Sequence, residues 1–144
     1  MKLYTIGFSG KSAEQFFTRL STAKIRRVID IRLNPAGQLS GFAKARDLRY
    51  FLKVLCNIDY CYLPDFAPPA DLLERYRKKV IGWLQYEEIY NRTLENRAAE
   101  NCADLALLDG SCLLCSEDLP DRCHRRLAAE YLSKYHPSLA IDHL

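Results

Sequence analysis

Strong charge, long apolar runs and an apolar leader are all missing from this chain. Its formal net charge is +3 over 144 residues, too small a surplus to argue nucleic-acid binding by itself. No apolar run approaches the roughly 18 residues that span a bilayer. The first twenty residues carry Lys2, Lys11 and Glu14 where a secretory signal would be apolar. Repeats, low-complexity tracts and Gly/Pro-rich linkers are also lacking, so residues 1–144 are expected to form a single α/β domain. That length suffices for a continuous core. These absences point to a cytoplasmic protein with no membrane partner. The six cysteines are then expected as reduced, free thiols rather than as a disulfide framework.

What is present is an alternation of strand and helix patterns. Residues 2–6 read as a strand and end in Gly7-Phe8-Ser9-Gly10. Ser12 and Gln15 then have the spacing of a capping box, and Phe16, Phe17 and Leu20 that of a helix. Residues 27–31 form a second strand, with Val28 and Asp30 on one face and Ile29 and Ile31 on the other. A carboxylate in a strand covered on both faces needs a partner. Arg32 opens the following loop, so Asp30 is expected to pair with a neighbouring element. The loop over residues 34–41 is placed to cover a site. A helix is expected over 47–55 and a strand over 59–63. Residues 71–108 read as helix in two or three pieces, broken near Gly82. Their Trp83, Tyr86, Ile89, Tyr90 and Leu94 suit a packing surface or a groove wall. Residues 139–141 close the pattern as a last strand. Alternation of this kind implies a three-layer fold: a mostly parallel central sheet with helices on both faces.

The densest chemistry lies in residues 111–126, Ser-Cys-Leu-Leu-Cys-Ser-Glu-Asp-Leu-Pro-Asp-Arg-Cys-His-Arg-Arg. Residues 111–115 read as an apolar strand and Pro120-Asp121 as a helix start, with Asp121 as N-cap and the helix reaching about Tyr135. Helical phase turns His124 inward over the sheet end, facing Glu117, with Cys123 and Arg125 on the flanks of the apolar stripe. A helix N-terminus favours an anion or a thiolate. Each residue also has a plain reading: His124 as a hydrogen-bonded structural residue, Cys123 as packing. Cys112, Cys115, Cys123 and His124 look superficially like a zinc set. Residues three apart on a strand project from opposite faces, however, so Cys112 and Cys115 are not expected to share an ion, and no metal is assigned.

Thr5-Ile6-Gly7-Phe8-Ser9, Asp30-Ile31-Arg32 with Pro35, and Cys115-Ser116-Glu117 followed by Cys123-His124-Arg125 resemble the domain of unknown function 488 family. The middle, Leu63-Pro64-Asp65-Phe66-Ala67-Pro68 with Trp83, Tyr86 and Tyr90, resembles one branch of it. The resemblance covers essentially the whole chain and implies a compact three-layer α/β domain, but no established reaction. Phe8 stands where the family commonly carries His or Tyr, so chemistry by that side chain would be absent or different here.

Ser9, Arg32 and Glu117 all follow strands and should gather at the carboxyl edge of the sheet. The leading expectation is an enzyme acting on a small anionic or nucleotide-like group, free or within nucleic acid, by acid–base chemistry. Glu117, His124 and Asp30 are its candidate catalytic residues; Ser9, Arg32, Arg125 and Cys123 would bind substrate. One alternative is thiol chemistry at Cys115 or Cys123, faintly sulfurtransferase-like but without the usual Cys loop. Another is a module that binds an anion, a nucleotide or a metal without turnover. No cofactor is indicated by the residues alone.

Overall fold

The computed structural model of the chain describes residues 1–37 and 41–144. Its elements are β1 (Lys2–Gly7), α1 (Ala13–Thr22), β2 (Arg27–Asp30), α2 (Ala45–Phe51), β3 (Asp59–Tyr62) and α3 (Ala70–Arg77). They continue with α4 (Trp83–Arg97), α5 (Leu105–Leu108), β4 (Ser111–Cys115), α6 (His124–Tyr135) and β5 (Ala140–His143). The strands form one sheet in the order β3-β2-β4-β1-β5, and every pairing is parallel.

Side-chain alternation along the strands feeds two cores. Ile6, Val28, Cys112 and Leu114 pack with Phe16, Leu20 and Leu48 of α1 and α2. Leu3, Ile29 and Leu113 face the other way, against Tyr90 and Leu94 of α4 and Leu127 and Leu132 of α6. Each buried aliphatic side chain contributes about 1.5–3 kcal/mol. A one-residue slip of a strand would reverse both rows, so these contacts hold the register.

Local signals explain most boundaries. Ser12 accepts from the Gln15 N–H at 3.1 Å while the Gln15 side chain accepts from the Ser12 N–H at 2.9 Å, completing the expected box. The helix expected over 47–55 instead starts at Ala45, and after Phe51 it widens into a π turn, Leu52–Cys56. Asn57, at φ 53°, ends it there. The middle segment breaks at Gly82 as expected, and again after Ala98, which adopts φ 48°. A second correction concerns the late block. Asp121 lies in a turn; Cys123 takes the extended N-cap conformation and α6 begins at His124. The Cys123 N–H donates to the Pro120 carbonyl at 3.2 Å, so this turn is used up before a helix can start.

The strand order positions the site. From β2 the chain moves outward to β3, whereas from β4 it moves in the opposite direction, past β1, to β5. Because β2 and β4 are neighbours whose following segments diverge, a crevice opens beyond their carboxyl ends.

Candidate functional site

That crevice is a cleft of about 970 Å³, the size range of small-molecule and cofactor sites. Arg32 and Asn34 enter it from the end of β2, and Cys115, Glu117, Cys123 and His124 from the turn between β4 and α6. The opposite wall is aromatic. Trp83 stacks on Tyr86 with centroids 5.1 Å apart and planes 18° from parallel, and Tyr76 tilts against both rings. Four cationic side chains line the cleft, Arg32, Arg77, Lys79 and Arg122, against the single carboxylate of Glu117 among the described residues.

Asp30 does not reach the cleft: it is fully buried and holds Arg32. Arg32 Nε donates to Oδ1 at 2.8 Å and Nη2 to Oδ2 at 2.6 Å, while the Arg32 backbone N–H adds a third bond at 3.1 Å. The expected partner from a neighbouring element is therefore only part of the arrangement, because the ion-pair partner is Arg32 of the same segment. The planar guanidinium folds back over the strand end because its fork matches a carboxylate. A neighbouring element contributes as well, since Tyr60 Oη of β3 donates to Oδ2 at 2.7 Å. Phe8 lies under the same guanidinium, its ring centroid 5.5 Å from Cζ. In this chain that position supplies a cation–π platform. Arg32 is 2% exposed, and its Nη1 has no hydrogen-bond partner among the described residues.

Arg125, expected on the flank of the apolar stripe and as a substrate-binding residue, is completely buried and absent from the cleft lining. Its Nε donates to Thr5 Oγ1 at 3.3 Å, its Nη1 to Cys115 Sγ at 3.4 Å and to the Glu117 carbonyl, and its Nη2 to the Asp118 carbonyl at 2.9 Å. Gly7 makes this possible: a Cβ there would collide with the Glu117 carbonyl oxygen and Arg125 Nη1. Arg125 thus ties the β4–α6 turn to β1. Ser9 is exposed and off the cleft lining, its N–H donating to the Ser116 carbonyl at 3.0 Å.

His124 points inward, as its helical phase predicts. Its Nε2–H donates to the Ile31 carbonyl at 2.9 Å, bridging the ends of β2 and α6. Burial pushes its pKa down to about 4, so the ring is neutral at pH 7 and Nδ1 keeps its lone pair. Nδ1 lies 4.0 Å from Cys123 Sγ. Cys115 and Cys123 are joined sulfur to sulfur, which corrects the expectation of free thiols throughout; Cys56, Cys61, Cys102 and Cys112 are free. Cys112 faces the core on the α1 side, away from Cys115, as strand alternation requires. The sulfurs of Cys115 and Cys123 and a His124 ring nitrogen lie within 4.8 Å of one another, which makes them a possible metal-ligand group.

The late Cys-x-Glu to Cys-His-Arg block therefore meets Arg32 from the second strand in one place. Its sequence agrees with a wider pattern: residues 12–132 match the domain of unknown function DUF488. The chain belongs to the DUF488 family. No curated protein and no solved structure matches it. The match begins after β1, so Gly7 and Phe8, which support the Arg125 and Arg32 guanidinium groups, lie outside the matched segment.

Of the residues expected at the site, this DUF488 protein brings Arg32, Glu117, Cys123 and His124 to the cleft. Asp30 sits one layer behind, Arg125 under the turn, and Ser9 outside. Sequence reasoning missed Tyr76, Arg77 and Lys79, which close the cleft from the far side. Only the amphipathic aromatics of the middle segment hinted at a groove. Lys79 takes φ 59° in the turn between α3 and α4, a bend that no Gly or Asn announces.

Proposed function

We propose that the cleft binds a small anionic, nucleotide-like molecule and acts on it by acid–base chemistry. One observation supports the reading: Arg32 Nη1 is buried at the cleft and has no hydrogen-bond partner among the described residues. A buried donor left without a partner costs about 1–3 kcal/mol, and an anion at this position recovers that cost. Asp30 already fixes the guanidinium, so the donor is preorganised. Trp83 and Tyr86 offer a flat apolar face for a base or comparable ring, and Arg77, Lys79 and Arg122 add positive charge. A nucleotide within a nucleic-acid strand would use the same features, and its affinity would fall steeply with salt.

Glu117 is the acid–base residue of this reading. Its carboxylate is exposed on the cleft lining and makes no ion pair among the described residues. His124 acts through its neutral ring, with Nε2–H committed to Ile31 and only Nδ1 available to accept a proton. One domain spanning the chain, working in the cytoplasm, suits a ligand of this type.

Incubating the protein with a panel of nucleotides and sugar phosphates, with products followed by mass spectrometry, tests the catalytic half. Glu117→Gln should lower turnover by about 10²–10⁴-fold, the usual share of a general acid or base, with ligand affinity kept. Turnover untouched by that change, or absent for every ligand that binds, would reduce the reading to a binding module.

A second reading has its own observation. Cys115 and Cys123 are paired at the cleft floor, one against the Arg125 guanidinium and the other at a helix N-terminus. Both settings favour a thiolate. In a reducing compartment such a pair is catalytic or redox-sensing rather than structural.

A further inference from the structure

The Cys115, Cys123 and His124 group has features that neither a structural disulfide nor a plain acid–base site requires. His124 uses Nε2 on the Ile31 carbonyl at 2.9 Å, which fixes the tautomer and turns a bare Nδ1 toward the sulfurs. Metal-bound histidines almost always donate their second ring N–H to a carbonyl or carboxylate in this way. The two cysteines come from opposite sides of the turn, β4 and the N-cap of α6, and their Cα atoms are 7.7 Å apart. Directly linked cysteines usually have Cα atoms about 4.4–6.8 Å apart. A tetrahedral ion with metal–sulfur bonds of about 2.3 Å would hold the sulfurs about 3.8 Å from each other, a longer bridge that suits this backbone span.

Charge and composition agree. Arg125 Nη1 lies 3.4 Å from Cys115 Sγ and steadies the charge of a second thiolate beside the first. Two thiolates and an imidazole are a donor set for zinc rather than for magnesium or calcium. All three residues also line the cleft, so the fourth direction is open. Three protein ligands with an open position describe a catalytic rather than a structural zinc. The strand alternation that argues against a Cys112–Cys115 pair does not touch this set, because Cys112 is not in it.

We propose that the reduced protein binds one zinc-class divalent ion through Cys115 Sγ, Cys123 Sγ and His124 Nδ1, with the fourth position open to the cleft. Reduction of the pair by a thiol or phosphine takes two electrons and two protons and yields two thiols. Coordination then releases those two protons. Joining of the sulfurs and metal binding are therefore mutually exclusive states of one site. The proposal does not depend on what the cleft binds, and in the metal-bound state His124 Nδ1 is a ligand, which leaves proton transfer to Glu117 alone.

The test uses the full chain, reduced with a phosphine, stripped by a chelator and titrated with Co²⁺ without oxygen. One cobalt per chain should bind, with a thiolate-to-cobalt charge-transfer band that Zn²⁺ bleaches. Cys115→Ser, Cys123→Ser and His124→Ala should each weaken binding by more than about 100-fold, beyond the loss expected of an outer-shell change. Cys112→Ala should leave the band in place. A measurement on the unaltered protein guards against misfolded variants: Zn²⁺ should protect Cys115 and Cys123 from iodoacetamide while Cys102 still reacts. No charge-transfer band in the reduced protein, or no protection of those two thiols by zinc, would overturn the proposal.

Discussion

Arg32 grips Asp30 through two side-chain donors, at 2.8 and 2.6 Å, at the point where β2 ends and the cleft begins. Both side chains are almost completely buried, so neither charge can be removed alone without leaving the other uncompensated. Asp30→Asn should therefore cost about 3–5 kcal/mol, read as a lower denaturation midpoint at unchanged slope. Tyr60→Phe removes one hydrogen bond to the same carboxylate and should cost about 1.5–3 kcal/mol. Equal stability of Asp30→Asn and the parent protein would show that the pair is not held as described.

Gly7 and Arg125 form a second dependent pair. With no Cβ at Gly7, the Arg125 guanidinium reaches Thr5 and three groups of the β4–α6 turn. Gly7→Ala should destabilise by about 3 kcal/mol or more, because the colliding atoms are a backbone carbonyl and a buried side chain. Gly41→Ala, with nothing among the described residues within 4 Å of the added Cβ, should stay within about 0.5 kcal/mol. Thermal unfolding of the two variants side by side measures the contrast.

Cysteine reactivity should sort by position. Cys112 is fully buried and burial pushes its thiol up, so iodoacetamide should modify it only after unfolding. Exposed Cys102 should react in the folded protein, though slowly, because partial desolvation and the neighbouring Asp65 and Glu100 raise its pKa. Reduction opens the Cys115–Cys123 pair on the cleft lining and should add these two thiols to the reactive set, whereas Cys112 lies in the core against α1. Peptide mass spectrometry with and without a reductant resolves all four. Labelling of Cys112 at the same rate as Cys102 would contradict the packing of β4.

Much of this was legible in the sequence, for identifiable reasons. Consecutive apolar residues such as Val28 and Ile29 mark a strand covered on both faces, and the strand–helix alternation leads to the parallel three-layer fold. His124 could be oriented from helical phase alone, since Leu127, Ala128 and Tyr131 lie on the same stripe. Arg125 could not. Its burial depends on the missing side chain at Gly7, more than a hundred positions away, and helical phase carries no trace of that space. Asp30 was recognised as needing a partner, but the backward fold of Arg32 depends on loop geometry rather than residue type. The far wall of the cleft was hidden for a similar reason: α3 and α4 meet at Lys79, whose left-handed conformation (φ 59°) gives no compositional signal.

The wall also supplies the probe for the ligand-binding claim. Trp83 is the single tryptophan of the chain and lies on the cleft lining beside Tyr86, so selectively excited tryptophan fluorescence reports on that surface. Titration with nucleoside monophosphates and with inorganic phosphate should give saturable quenching by the nucleotides. Arg32→Lys, which keeps a charge for Asp30 but removes the Nη1 donor, should weaken the nucleotide effect at least about tenfold, the equivalent of one charged hydrogen bond. Fluorescence that no nucleotide alters, or quenching unchanged in Arg32→Lys, would contradict the account of the cleft as an anion-binding site built on Arg32.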